Sequence, residues 1–201
     1  MCKRIMMIGT LIFAGATGMW AQQPGTMSAK AGSMTTVEPS KSFDASLSAF
    51  EKQFVGLAKA MPAEKYSFAP TAAIFASTQK TDYLSADNKG VRNFGQMVAH
   101  VAQANYFYGG MLSGIKPDTD VKAIGSMTDK DQIIAALEKS FAFVHQAMGT
   151  LTTENAFQSV RGDQTRASVA AGVIAHGFDH YGQLAEYLRM NGIIPPASDK
   201  K

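Results

Sequence analysis

Cysteine and tryptophan are almost missing from this sequence. Cys2 and Trp20 are the one residue of each kind among 201, and both lie in the first twenty positions. Once a leader covering them is removed, the chain can form no disulfide, offers no thiolate to a metal and has no cysteine nucleophile. An excess of one charge is missing as well: 19 Lys and Arg stand against 16 Asp and Glu, with no basic run. So neutral a chain has no electrostatic footprint for nucleic acid, which excludes it as the main partner. No apolar run is long enough for a bilayer. No GxSxG marks a nucleophile elbow, and no HExxH marks a zinc protease. A convincing run of alternating apolar and polar residues is also missing, so the fold class is all-α.

What is present begins with "MCKRIMMIGTLIFAGATGMWA", residues 1–21. Lys3 and Arg4 form a positive start, Ile5 to Gly18 an uncharged, mostly apolar stretch, and Ala21 a cleavage point, the pattern of a secretory signal peptide. Met19 stands where a smaller residue is usual, and an uncleaved N-terminal anchor is the alternative. Cys2 precedes the apolar stretch and is too early to be a lipid-attachment cysteine. Cleavage removes two bases and no acid, taking the formal charge from +3 to +1. The expected location is outside the cytoplasm of a bacterium, periplasmic or secreted, with no stable membrane insertion after cleavage. Residues 22–42, containing "QQPGTMSAKAGSMTTVEPSK", are rich in Gly, Ser, Thr and Pro without apolar periodicity, and read as a flexible linker.

Residues 43–198 form the expected domain, and their apolar residues follow helical spacing. The first helix runs from Phe43 to Ala60 through Leu47, Phe50, Phe54 and Leu57, and Met61-Pro62 ends it. Residues 63–90 are mixed, with a turn or two of helix at Ala72–Thr78. The second helix spans Val91–Leu112, where Phe94, Met97, Val101, Ala104, Tyr108 and Met111 repeat with heptad spacing. A capping pattern at Thr128 and Asp131 starts the third, which reaches Met148. "TTENAFQSVRG" then reads as a loop. The fourth runs from Asp163 to Met190, closed by Asn191-Gly192 and Pro195-Pro196. The expected architecture is a four-helix bundle with one long first connection.

Two of only four histidines fall in one stretch of the fourth helix, "VIAHGFDHYGQL". Helical geometry puts Val169, Val173, His176, His180, Gln183 and Tyr187 on one stripe, so both histidines face the core or a pocket in it. Cβ atoms four residues apart lie about 6 Å from each other, close enough for two imidazoles to share one metal ion. Spacing alone fits two ordinary core-edge histidines better. His100, beside the second helix's seam, can add a third nitrogen from a facing helix, as metal sites in bundles are built. Three imidazoles leave a tetrahedral position open, the pattern of a catalytic site. Asp179 and Gln183 are placed to fix ring tautomers. His145 has no partner at ligand spacing and reads as structural. The Met and Phe stripes read as core.

"VRNFGQMVAHVAQANYFYGGML" and "HGFDHYGQLAEYLRMNGIIPP" resemble the two signature segments of the DinB/YfiT-like superfamily, and "MPAEKYSFAPT" resembles the stretch that precedes the first. The resemblance implies a four-helix up-down-down-up bundle that binds a divalent cation, commonly nickel or zinc, through three histidines. By position those are His100, His176 and His180. Many relatives carry Arg where this chain has Ala69, and Thr71–Gly90 is longer than usual. Some relatives are transferases that use cytosolic thiols such as bacillithiol, at odds with an exported chain. The function expected is a metal-dependent hydrolase or transferase acting on a small molecule, with Tyr108, Asn105 or Asp179 supplying hydrogen bonds. The alternatives are an exported, non-enzymatic metal-binding or stress-related bundle, and a plain bundle without metal. A homodimer is the expected assembly.

Overall fold

Proline fits a helix only in its first turn, where its missing N–H has no intrahelical partner to lose. Pro39 takes that place in α1 (Pro39–Ala60), so the helix starts upstream of the first apolar residue of its stripe, Phe43. It stops where Met61, held extended before Pro62, turns the chain. The computed structural model describes residues 35–70, 78 and 91–199. The expected signal peptide, most of the expected linker and nearly all of the 71–90 connection lie outside them, including the expected turns at Ala72–Thr78 apart from Thr78.

The other long helices carry their own start signals. α2 (Phe94–Ser113) opens on a reciprocal capping box between Asn93 and Gln96 and closes at Gly114, whose φ of 78° belongs to the left-handed region. α3 (Val121–Ile124) is a single turn capped by the Asp120 carboxylate. It is too short for periodicity to reveal. α4 (Lys130–Met148) is capped by Asp129, which accepts from the Gln132 N–H, one position later than the expected Thr128 cap. α5 (Arg166–Met190) opens on a second capping box, Thr165 with Ser168.

The expected loop before α5 contains a small antiparallel ribbon, β1 (Ser159–Arg161) and β2 (Gln164–Thr165), turned at Gly162 with φ of 56°. This corrects the reading of Asp163 as the start of the fourth helix, because residues up to Thr165 are spent on the ribbon and the cap. Strands of two and three residues are too short to show alternation. The fold is nonetheless mostly helical, and among the described residues no helix is long and apolar enough to cross a membrane.

The long helices share one core. α2 packs along α4 and α5, and α1 packs along the same two. Phe50 is fully buried, with its ring 5.4 Å from Phe54, 5.5 Å from Phe141 and 4.9 Å from Phe178. Met61, Met97 and Met148 are buried with them, so the Met and Phe stripes are core. The heptad reading of α2 needs correction. Ala104, Tyr108 and Met111 are only half-buried, and burial passes instead to Ala102, Asn105, Gly109 and Leu112. A straight helix drifts about 20° per heptad from a 3.5-residue repeat, and over 20 residues that moves the buried face. Gly109 permits the shift: a Cβ there would stand 2.8 Å from Cε1 of Phe143 on α4. The edge thus freed carries His100, Ala104 and Tyr108.

Candidate metal centre

The site is assembled from two neighbouring helices. α2 contributes His100, two turns in from its Asn93 cap, and α5 contributes His176 and His180 one turn apart. The three ring centroids form a close triangle, His100 being 5.2 Å from His176 and 4.9 Å from His180, with 4.5 Å between the last two. One nitrogen from each ring can be chosen so that all three lie within 4.8 Å of one another. The Nε2 atoms of His176 and His180 are 3.2 Å apart. Two nitrogens each about 2.0–2.1 Å from a tetrahedral ion stand about 3.3 Å apart, so this pair already has ligand spacing.

Position on α5 follows from how closely that helix approaches α1. Gly177, between the two histidines, has Phe50 where a side chain would be: a Cβ there would fall 2.1 Å from the Phe50 Cζ. The backbone of α5 therefore rests on a core ring, and the histidines turn toward α2. His180 is buried, while His100 and His176 are half-buried. On the α2 edge, the Tyr108 ring lies 5.6 Å from His176 and beside Gly172 of α5.

Burial decides the charge state of these rings. It lowers the proton affinity of all three, since it penalises the imidazolium. His100 falls to about 4, with the Arg92 charge and its two histidine neighbours adding to the effect of burial. His176 is lowered by burial and then by His180, and the Asp179 charge only partly offsets this. His180 is lowered by burial, against the Gln183 hydrogen bond and the Asp179 charge. Neutral imidazoles are what a metal ion requires, because only they present a lone pair.

The tautomer of His180 is set from outside. Its Nδ1 faces Gln183 Oε1 at 3.4 Å, and Gln183 Nε2 in turn donates to Asp179 Oδ2 at 3.1 Å. An amide oxygen only accepts, so the proton belongs on Nδ1 and the Nε2 lone pair points at His176. The His176 Nε2 at 3.2 Å can meet that lone pair favourably either through its own N–H or through a cation that both nitrogens share. The residues present therefore fit a divalent ion.

The structure sorts the other expected residues. Asp179 and Gln183 stand beside His180, as sequence position implied, and Tyr108 stands beside His176. Asn105 does not reach the site. It is buried between α2 and α4, where its Nδ2 donates to Ser140 Oγ at 3.0 Å, so its role as a hydrogen-bond supplier is corrected. Seen from its helix, the reason is the drift that carries position 105 toward α4. His145 lies outside the cluster. Arg92 is the residue that sequence reasoning missed: its charge acts on all three imidazoles. It sits in the turn before α2, which begins at Phe94 rather than at the expected Val91, so the helical spacing read for that segment does not place its side chain.

The family model described as the DinB superfamily matches residues 46–184, more than half of the chain and a span that contains all three histidines. No curated protein matches the chain.

Proposed function

The chain belongs to the DinB superfamily, and from that premise we propose that it is a metal-dependent hydrolase or transferase acting on a small molecule, with His100, His176 and His180 holding one divalent ion. Nickel or zinc is the proposed metal, since borderline ions suit imidazole donors. The observation that carries the reading is the 3.2 Å approach of two Nε2 atoms beside a third neutral imidazole. A divalent ion there supplies Lewis acidity toward a water molecule or a substrate carbonyl. Around it, His180 is oriented by Gln183 and Asp179. The Tyr108 ring borders the site beside His176 and brings its hydroxyl as a hydrogen-bonding group. Burial keeps the imidazoles deprotonated, and the Arg92 charge adds to it.

A four-helix up-down-down-up bundle is the topology that supports this geometry. The Lys130 ammonium at the start of α4 donates to the carbonyls of Lys59 and Met61 at the end of α1. Tyr187, near the end of α5, donates to the Arg92 carbonyl just before α2. These ties support a reading in which α4 runs opposite to α1 and α2 opposite to α5. The N-terminal pattern of Lys3, Arg4 and the apolar stretch supports export through a signal peptide at 1–21, and we read the mature protein as periplasmic or secreted and as a homodimer.

A second reading, an exported metal-holding protein without turnover, is favoured by Asp179. This carboxylate is already engaged by Gln183 and lies 3.9 Å from the His180 Nδ1, rather than standing free as a base. Metal analysis of untagged protein followed by a panel of ester, amide and thiol-transfer substrates tests both. Turnover that requires the metal and disappears in His180→Ala, with the fold intact, supports the enzyme. Stoichiometric metal without turnover supports the second reading.

A further inference from the structure

His145 is the one histidine outside the metal cluster, and both of its ring nitrogens have partners across the α1–α4 contact. Its Nδ1 lies 2.5 Å from Asp44 Oδ1 and its Nε2 lies 2.9 Å from Glu51 Oε2. Asp44 and Glu51 are two turns apart on α1, so a single ring on α4 spans two successive carboxylates along that helix. A carboxylate only accepts hydrogen bonds, and a neutral imidazole donates only one. Both contacts are satisfied together only when both ring nitrogens carry protons.

We propose that His145 is a protonated strut whose imidazolium clamps the Asp44–Glu51 stretch of α1 onto the last half of α4, and that the clamp opens when the proton leaves. Deprotonation turns one of the two contacts from a charge-assisted hydrogen bond into a lone pair facing a carboxylate. The ring nitrogens face different acids rather than converging on one point, so the trio is a bridge and not a second metal site. α1 supplies both charged groups that act on His145, and α2 and α5 contribute none. Burial pulls its proton affinity down, and the hydrogen bonds and charges of Asp44 and Glu51 outweigh that and raise it overall. The side chains are 28%, 45% and 31% exposed for His145, Asp44 and Glu51, so solvent and salt reach the clamp.

The direction of the pH effect follows. A group whose proton affinity rises on folding contributes stability below its unfolded value, about 6.5 for histidine, and loses it as pH climbs through the folded value. The test uses zinc-loaded protein and follows the imidazole Cε1–H signals by NMR from pH 5 to 9. The signal missing from His145→Gln belongs to His145, and its midpoint should lie above 6.5. A midpoint at or below 6.5 overturns the strut. Urea unfolding gives a second readout: the gap in midpoint between wild type and His145→Gln should be wide at pH 6 and narrow at pH 9. A gap equal at both, or wider at pH 9, also overturns it. If His145→Gln does not fold, Asp44→Asn with Glu51→Gln replaces it, and the His145 midpoint should drop in that variant. An unmoved midpoint there contradicts the proposal.

Discussion

Gly177 of α5 and Phe50 of α1 occupy adjoining space that one more carbon would overfill: a Cβ on Gly177 would come within 2.1 Å of the ring's Cζ and 2.4 Å of its Cε1. Phe50 cannot yield, because it is fully buried among Phe54, Phe141 and Phe178. Gly177→Ala should therefore destabilise the fold, although alanine is the better helix former by about 1 kcal/mol. Overpacking typically costs about 1–3 kcal/mol, and this contact stands at the severe end. Gly182, on the same helix with nothing within 4 Å of its Cβ position, is the control, and Gly182→Ala should raise stability by up to about 1 kcal/mol. Urea unfolding of both variants checks the opposite signs.

Asn105 should behave as a core residue and not as part of the site. Asn105→Ala removes the donor to Ser140 Oγ and opens a gap between α2 and α4. A loss of about 1–3 kcal/mol is expected from a buried polar pair broken on one side. Metal content should stay at the wild-type level. Thermal unfolding and elemental analysis of the same preparation measure the two effects separately.

Gln183 should tune the metal without binding it. Gln183→Ala frees His180 to rotate and to place its proton on either nitrogen, so affinity should fall by about tenfold, the lower part of the range for such partners. The 3.4 Å separation between Gln183 Oε1 and His180 Nδ1 argues for the lower part. Competition with a chelator of known strength gives the ratio. Asp179→Asn should also lower affinity, because it weakens the acceptor for Gln183 Nε2 and removes a negative charge that acts on both His176 and His180.

Much of the fold was legible because its signals are local. The stripe Leu47, Phe50, Phe54 and Leu57, the Met61-Pro62 stop of α1 and the pair Asn191-Gly192 after α5 act over a few turns of chain, whereas Pro39, which starts α1, lies in the stretch that reads as linker. The α5 half of the site was legible for the same reason, since one helical turn fixes where His176 and His180 stand. The third ligand required knowing that α2 adjoins α5, which no residue spacing encodes; family likeness supplied the expectation and the packing brings His100 to the pair. Asn105 was misplaced because the buried face of α2 drifts as the helix lengthens. Arg92 and the His145 bridge were invisible because both depend on contacts between segments far apart in sequence, 94 and 101 residues in the case of Glu51 and Asp44.

The central claim is that three imidazoles on two helices hold one divalent ion. Elemental analysis of untagged wild type and His100→Ala, purified side by side and loaded with nickel or zinc, tests it most directly. About one ion per chain in wild type, falling to background in His100→Ala while the far-UV circular dichroism stays unchanged, is the result this account predicts. No bound ion in wild type, or equal loading of the two proteins, would contradict it.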